Sequence, residues 1–192
     1  VNTKKVVLCD QDGILADLTG KVLKRYNSIH NTQYTTGDLW SYHFGKVMPG
    51  GDIVNSWFQE PGFYRDLDVL PGAVKALQKL HQATRVVILT SPGNAPQCVP
   101  DKSAWLDEHF PFLPDYERIY TSRKELVRGA FLIDDAPKNL LRWKEQNPEG
   151  QTIAIKYKYN KQLASGVSFM ADGYDDTARA WKDIVDYILE SI

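Results

Sequence analysis

The chain has few of the features that would stabilise or locate it by means other than a folded core. Only 2 of its 192 residues are cysteine, and neither number nor placement suggests a disulfide framework. Cys9 sits inside an apolar run and Cys98 in a loop-like stretch after a second run, so a reducing cytoplasm is the expected compartment. No apolar stretch approaches transmembrane length, and Val1-Asn-Thr-Lys-Lys5 lacks a signal-peptide pattern, so neither membrane insertion nor export is expected. An excess of charge is missing as well. With 23 Lys and Arg against 24 Asp and Glu the formal net charge is −1, which gives no general attraction to nucleic-acid polymers, so any recognition of an anionic ligand must come from a local site. The 4 histidines, His30, His43, His81 and His109, have no ligand spacing among themselves or with the cysteines. That disfavours zinc and other softer metals, and the histidines read as structural or surface residues. There is no internal repeat and no low-complexity linker.

What the chain does have is an alternation of apolar runs and helical spacings, with chemistry at the ends of the runs. With 43% hydrophobic content it can hold one α/β core and a modest insertion. Val6-Val-Leu-Cys9 reads as a buried strand ending in Asp10, Gln11, Asp12 and Gly13. Side chains two apart on an extended chain point the same way, so both carboxylates are aimed at one place. Gly13, lacking a Cβ, permits a turn whose backbone N–H groups face an anion. A second run, Arg85-Val-Val-Ile-Leu89, ends in Thr90, Ser91, Pro92 and Gly93. A third, Ala130-Phe-Leu-Ile133, ends in Asp134 and Asp135, and Lys124 lies between them. An Asp-Gly turn, a capping Thr, a solvated Lys and an acidic helix start explain each feature singly. Their joint pattern is harder to dismiss, because carboxyl ends of parallel strands line one edge of an open sheet, where ligands bind. Four carboxylates gathered there would repel one another and any phosphate unless a hard divalent cation took oxygens from them. Carboxylates, a carbonyl, waters and substrate phosphate suit Mg²⁺.

In this order the motifs resemble those of the haloacid dehalogenase (HAD) superfamily of phosphohydrolases: Asp-x-Asp-Gly after a first strand, a Thr ending the next core strand, a Lys, then Asp-Asp. Asp10-Gln-Asp-Gly-Ile-Leu-Ala-Asp17, Glu60-Pro-Gly-Phe-Tyr64 before Leu70-Pro-Gly-Ala73, and Leu89-Thr-Ser-Pro92 are similar to the 5′(3′)-deoxyribonucleotidases within it. The resemblance implies an α/β Rossmannoid core, a parallel sheet flanked by helices, with a small helical cap inserted after the first strand. It implies magnesium-dependent hydrolysis of (deoxy)nucleoside monophosphates to nucleoside and phosphate through an aspartyl-phosphate. Asp10 would be the nucleophile and Asp12 the acid and base. The carboxylates of Asp10 and Asp134 and the backbone carbonyl of Asp12 would hold the metal, with Asp135 in support. Thr90, Ser91, Lys124 and the turn N–H groups near Gly13 would hold the phosphoryl oxygens. The chain departs from the pattern at one place: relatives tend to carry Arg two residues before the motif Lys, where Ser122 stands here, and Arg123 is beside the Lys.

The spacing of Leu15, Leu18, Val22, Leu23, Tyr26 and Ile29 predicts a helix up to about His30. From about Asn31 to Asp66 aromatics are interleaved with glycine and polar residues, read as the cap. The expected division is a core of 1–17 and 66–192 with a cap of 18–65. Pro71-Gly72 opens a helix bearing Val74, Leu77 and Leu80 that leads back into the second strand. Further expected elements are a helix around Ser103 to Phe110, strands near Ile119, at Leu132 and at Thr152 to Ile155, and a helix from Pro137. An amphipathic terminal helix carries Trp181, Ile184, Val185, Ile188 and Leu189. Trp40, Phe44, Trp57 and Phe63 are candidates for stacking on a nucleobase, worth about 1–3 kcal/mol per contact. The plainer reading is that a small insert needs large side chains to fill it. Asp17 reads as a helix cap.

The expected partner is a small-molecule nucleotide, not a polymer or a membrane, and a homodimer is left open. Two readings from other classes are set aside. In a signalling receiver domain the phosphorylated Asp follows a separate acidic pair and no cap interrupts the chain. A non-catalytic HAD-like interaction protein would not need the full set of motif residues present here. Among enzymes, a phosphatase of sugar phosphates or other small phosphomonoesters is the alternative.

Overall fold

The apolar runs form the middle of a parallel sheet. In the computed structural model, which describes residues 4–173 and 176–192, six strands are arranged in the order β3-β2-β1-β4-β5-β6. They are β1 (Val6–Cys9), β2 (Arg85–Thr90), β3 (Arg118–Tyr120), β4 (Phe131–Ile133), β5 (Gln151–Lys156) and β6 (Phe169–Asp172), and every pairing is parallel. Residues 1–3 of the N-terminal stretch lie outside the described residues.

Helices cover both faces, which is why the strands read as continuous apolar runs and not as an alternation with polar residues. Val7, Cys9, Val86, Ile88, Phe131, Ile133, Ile153 and Ile155 face one apolar cluster. The residues between them, Leu8, Val87, Leu89, Leu132 and Ala154, face the other. Helices α1 (Leu18–His30), α4 (Ala73–Ala83), α5 (Cys98–His109) and α7 (Thr177–Glu190) contribute to the first cluster through residues such as Tyr26, Leu77, Trp105 and Trp181. Helix α6 (Pro137–Gln146) contributes Leu140 and Trp143 to the second. The indole N–H groups of Trp105, Trp143 and Trp181 donate to the backbone oxygens of Leu67, Val127 and Ile14 at 2.7, 2.9 and 3.2 Å, so these large rings are buried without an unmet donor.

Between β1 and α4 the chain makes an excursion of α1 followed by short helical pieces, among them α2 (Phe44–Val47) and α3 (Val54–Trp57). It leaves and returns at one place. The Asp17 N–H donates to the Asp68 oxygen at 2.8 Å, and the Leu70 N–H donates to the Leu15 oxygen at 2.8 Å. Asp17 caps α1 by accepting from the Gly20 N–H at 2.8 Å.

Three details differ from the sequence reading. α5 begins at Cys98, ahead of the expected Ser103. Pro100 lies in its first turn, where a missing N–H costs nothing, and Cys98 is therefore a buried helical residue and not a loop thiol. Ile29 is exposed, so the apolar spacing of α1 ends at Tyr26. Strand β6 was not anticipated, because four residues at a sheet edge, Phe-Met-Ala-Asp, carry no distinctive run.

Candidate active site

With strand order reversing between β1 and β4, the crevice for a ligand lies beyond their carboxyl ends, and there the chain places its acids. Asp10, Asp134 and Asp135 are all buried, and each offers a carboxylate oxygen within 4.8 Å of the others. Lys124 is bound among them, with Nζ 2.8 Å from Asp10 Oδ1 and 2.6 Å from Asp134 Oδ2. Burial alone would lower the Lys124 pKa, but the two carboxylates outweigh it and hold the ammonium charged. Asp10 Oδ1 also accepts from the Gln11 N–H at 2.8 Å.

Asp134 is further fixed by the Ala136 N–H at 2.9 Å and by the Asn139 amide, 3.2 and 3.1 Å from its two oxygens. Burial pushes its carboxyl up to about 6, against the opposing pull of Lys124. Asp135 is raised well above the ordinary carboxylate range, first by burial and then by Asp134 and Asp10. It accepts from the Tyr159 hydroxyl, and its backbone oxygen accepts from the Asn160 amide at 2.9 Å.

Asp12 points elsewhere. Its Oδ2 lies 2.6 Å from Lys102 Nζ, while Oδ1 is buried without a hydrogen-bond partner among the described residues. Burial raises its pKa, with Lys102 acting against burial and Asp10 with it. Gly13 follows with φ of +72°, and a Cβ there would stand 2.6 Å from Asp135 Oδ2. Glycine is thus required twice, by conformation and by space. From the end of β2, Thr90 is buried with its hydroxyl 3.1 Å from Lys102 Nζ. The Ser91 hydroxyl lies 3.4 Å from that of Ser122. Arg123, beside the motif lysine, is largely exposed and pairs with Glu125. Asp10, Asp12, Gly13, Thr90, Ser91, Asp134 and Asp135 are thus gathered at one sheet edge, as their positions at or just after strand ends imply, and Lys124 joins them from the turn after β3.

Among the aromatics the structure is more selective. A cavity of about 190 Å³ runs from Asp12, Gly13 and Asp135 to the excursion, where Leu39, Tyr42, His43, Phe44, Asn55 and Phe58 form part of its wall. Of the four base-stacking candidates Phe44 lines it. Trp57 and Phe63, each 3% exposed, are instead buried in packing. Trp57 lies under the Arg25 guanidinium at 4.4 Å, and Phe63 packs edge-on against Phe58 and Tyr64. Trp40 is 57% exposed and is not part of the wall. Trp57 and Phe63 thus pack within the excursion and Trp40 faces solvent, so Phe44 is the candidate among the four that borders the cavity.

Tyr42, His43, Phe58 and Tyr159 were missed. His43, expected to be structural or surface, also borders a second cleft of about 490 Å³ beside Ser91, Ser122, Lys124 and Lys138. Tyr157 and Tyr159 follow the carboxyl end of β5 and stack at 5.4 Å, and the Tyr157 hydroxyl donates to the Gly13 oxygen at 2.9 Å. The strand-end rule that singled out Asp10, Thr90 and Asp134 would have found them.

Comparison with known proteins agrees with this geometry. The family model described as 5′ nucleotidase, deoxy (pyrimidine), cytosolic type C protein matches residues 4–190. The human cytosolic-type 5′(3′)-deoxyribonucleotidase is 32% identical over 169 residues, 82% of each chain. The mouse mitochondrial 5′(3′)-deoxyribonucleotidase is 31% identical over 194 residues, 94% of this chain and 84% of that one. Among solved structures, a haloacid dehalogenase-like hydrolase of Streptococcus pneumoniae superposes with a TM-score of 0.58 at 14% identity, covering 98% of this chain and 100% of that one. A HAD-type hydrolase of Bacillus subtilis bound to magnesium superposes with a TM-score of 0.55 at 14% identity, over the full length of both. The chain has the HAD-like α/β fold and belongs to the family of deoxy (pyrimidine) 5′ nucleotidases of cytosolic type C.

Proposed function

We propose that the protein hydrolyses deoxynucleoside monophosphates to nucleoside and phosphate, with Asp10 as nucleophile, Asp12 as acid and base, and residues 18–65 as a cap over the site. The observation that carries this reading is the convergence of Asp10, Asp12, Thr90 and Asp134 from the ends of β1, β2 and β4 with Lys124 from the turn after β3, which bridges Asp10 and Asp134. Among the described residues both hydrogen-bonding contacts to the Asp10 carboxylate fall on Oδ1, which leaves Oδ2 to attack phosphorus.

As the Asp10 oxygen bonds to phosphorus, the bond to the sugar oxygen breaks. The departing electron pair stays on that oxygen, which takes the proton from Asp12. Water then attacks the aspartyl-phosphate, Asp12 takes its proton, and the Asp10 carboxylate departs. Burial keeps Asp12 protonated to higher pH than an ordinary carboxyl, as the first half requires. Lys124 and the Thr90 and Ser91 hydroxyls supply positive charge and donors to the phosphoryl oxygens.

The cluster of Asp10, Asp134 and Asp135 suits a metal ion by its chemistry: three hard oxygen donors are buried within 4.8 Å of one another, and the single Lys124 ammonium does not balance three carboxylates. We assign it to Mg²⁺, held by the Asp10 and Asp134 carboxylates with the Asp12 backbone carbonyl and supported by Asp135. When bound, the ion supplies charge neutralisation to the phosphoryl group and the acids around it. The neck at Asp17 and Asp68 and the cavity between the acids and Phe44 support the cap assignment. Among the described residues no helix is long and apolar enough to cross a membrane, and we place the protein in the cytoplasm, as for the human cytosolic-type relative.

The test is phosphate release by purified protein from a panel of nucleoside monophosphates and sugar phosphates, with Asp10→Asn alongside. Deoxynucleoside monophosphates should head the panel, and Asp10→Asn should fold but release no phosphate. A preference for sugar phosphates would transfer the assignment to a general phosphatase, and a tenth of wild-type activity in Asp10→Asn would exclude the covalent route.

A further inference from the structure

Lys102, in the second turn of α5, is 1% exposed, and the hydrolytic scheme above does not call on it. Its ammonium lies 2.6 Å from Asp12 Oδ2, 2.8 Å from the Ser91 backbone oxygen and 3.1 Å from Thr90 Oγ1. Three N–H donors meet three acceptors, so none is left for a ligand. The Tyr64 ring, 4.9 Å from Nζ, packs against the ammonium.

The pattern has two consequences. Lysine accepts no hydrogen bond, so Thr90, having accepted one from Lys102, keeps its hydroxyl hydrogen for another acceptor. Asp12 is held by one oxygen only: Oδ2 carries the charge-assisted bond, while Oδ1 has no partner among the described residues.

Building on the role of Asp12 given above, we propose that Lys102 is a positioning residue that holds the Asp12 carboxyl by Oδ2, so that Oδ1 gives and takes the proton, and that turns the Thr90 hydroxyl hydrogen toward the phosphoryl group. In the first half-reaction the Oδ1–H bond breaks and its proton goes to the sugar oxygen as that oxygen leaves phosphorus with the bonding pair. In the second, an Oδ1 lone pair takes a proton from water as the water oxygen bonds to phosphorus and the bond from phosphorus to Asp10 breaks. Without Lys102 the carboxyl rotates and presents either oxygen, and proton delivery becomes infrequent.

Leaving-group dependence separates this role from a structural one. A sugar hydroxyl must be protonated as it departs, whereas p-nitrophenolate leaves without a proton, and kcat/KM reports the first irreversible step, where the leaving group is lost. Lys102→Met should lower kcat/KM for a deoxynucleoside monophosphate roughly 10²-fold, the scale of lost general-acid catalysis, and for p-nitrophenyl phosphate less than about 10-fold. Asp12→Asn should show the same split, and adding Lys102→Met to it should change neither rate further.

Equal losses on both substrates for Lys102→Met alone overturn the proposal, since Lys102 would then serve phosphate binding or the fold. Equal losses for Asp12→Asn instead refute the acid role of Asp12, and the proposal falls with it. If Lys102→Met does not fold, the electrically neutral pair Asp12→Asn/Lys102→Met decides: rates matching Asp12→Asn support the proposal. A further loss on p-nitrophenyl phosphate, or a double variant that stays unfolded while Asp12→Asn folds, overturns it.

Discussion

Gly13 shows how little room the site leaves at the level of single atoms. Its φ of +72° is costly for any residue with a Cβ, by about 1–2 kcal/mol, and that Cβ would press on Asp135 Oδ2 at 2.6 Å. Asp135 cannot easily yield, because Tyr159 and Asn160 hold it. Gly13→Ala should therefore lower the melting temperature by several degrees and raise the Mg²⁺ concentration needed for activity. A melting point within about 1 °C of wild type with an unchanged Mg²⁺ requirement would show that the turn is less constrained than its geometry. Asp134 yields a pH prediction. Its folded carboxyl titrates at about 6, above the ordinary Asp value of about 3.9. A raised carboxyl contributes stability that is fully present below the unfolded value and is lost as pH rises through the folded one. In EDTA the protein should thus lose stability between about pH 4 and 7 through this group. Mg²⁺, which needs the ionised carboxylate, should raise the melting temperature more at pH 7 than at pH 5. An equal increment at both would remove Asp134 from the ion's ligands.

At the level of elements, the short helices α2 and α3 set which aromatics border the cavity. Phe44 and Phe58 line the cavity, whereas Trp57 lies beneath Arg25 and Trp40 faces solvent. Phe44→Ala should cut kcat/KM for deoxynucleoside monophosphates by about tenfold or more, the worth of one stacking contact, and affect phenyl phosphate far less. Trp40→Ala should leave both nearly unchanged, and Trp57→Ala should act through stability, by about 3–5 kcal/mol. Equal losses on both substrates for Phe44→Ala would confine that ring to packing. The sequence could not have ranked these four, since helical pieces of three or four residues are too short for a period to emerge. β1, β2 and β4 were readable because strands buried on both faces are apolar throughout, and Asp10, Thr90 and Asp134 could be located from where each run stops. Lys102 was invisible for the opposite reason. It meets Asp12 from 90 positions away, in a turn of α5 that Pro100 disguised as loop. Asn139 and Asn160 escaped likewise: an amide that orients a carboxylate looks, in a sequence, like any polar residue of a helix start or loop.

Across the whole molecule, stability should be distributed unevenly. β1 is paired on both sides by β2 and β4 and buried on both faces, whereas the part of the excursion after α1 is built of brief helices with several exposed side chains, among them Trp40, Tyr42 and Ile53. Amides of β1 and β4 should exchange with deuterium most slowly and those of residues 36–58 much faster, by mass spectrometry of the intact fold. Uniform protection would mean that sheet and cap open as one unit. The neck at Asp17 and Asp68 has its own consequence for how such a protein can diverge. Because both ends of the excursion stand side by side on the sheet, a longer or shorter segment can be spliced between them at a closure cost of only about 0.6 kcal/mol per doubling of length. The register of β1 against β2 and the placement of the four aspartates are untouched by such an exchange. On the cap role proposed above, ligand preference would be carried on a replaceable cassette, and hydrolytic chemistry on a chassis that any new cassette inherits intact.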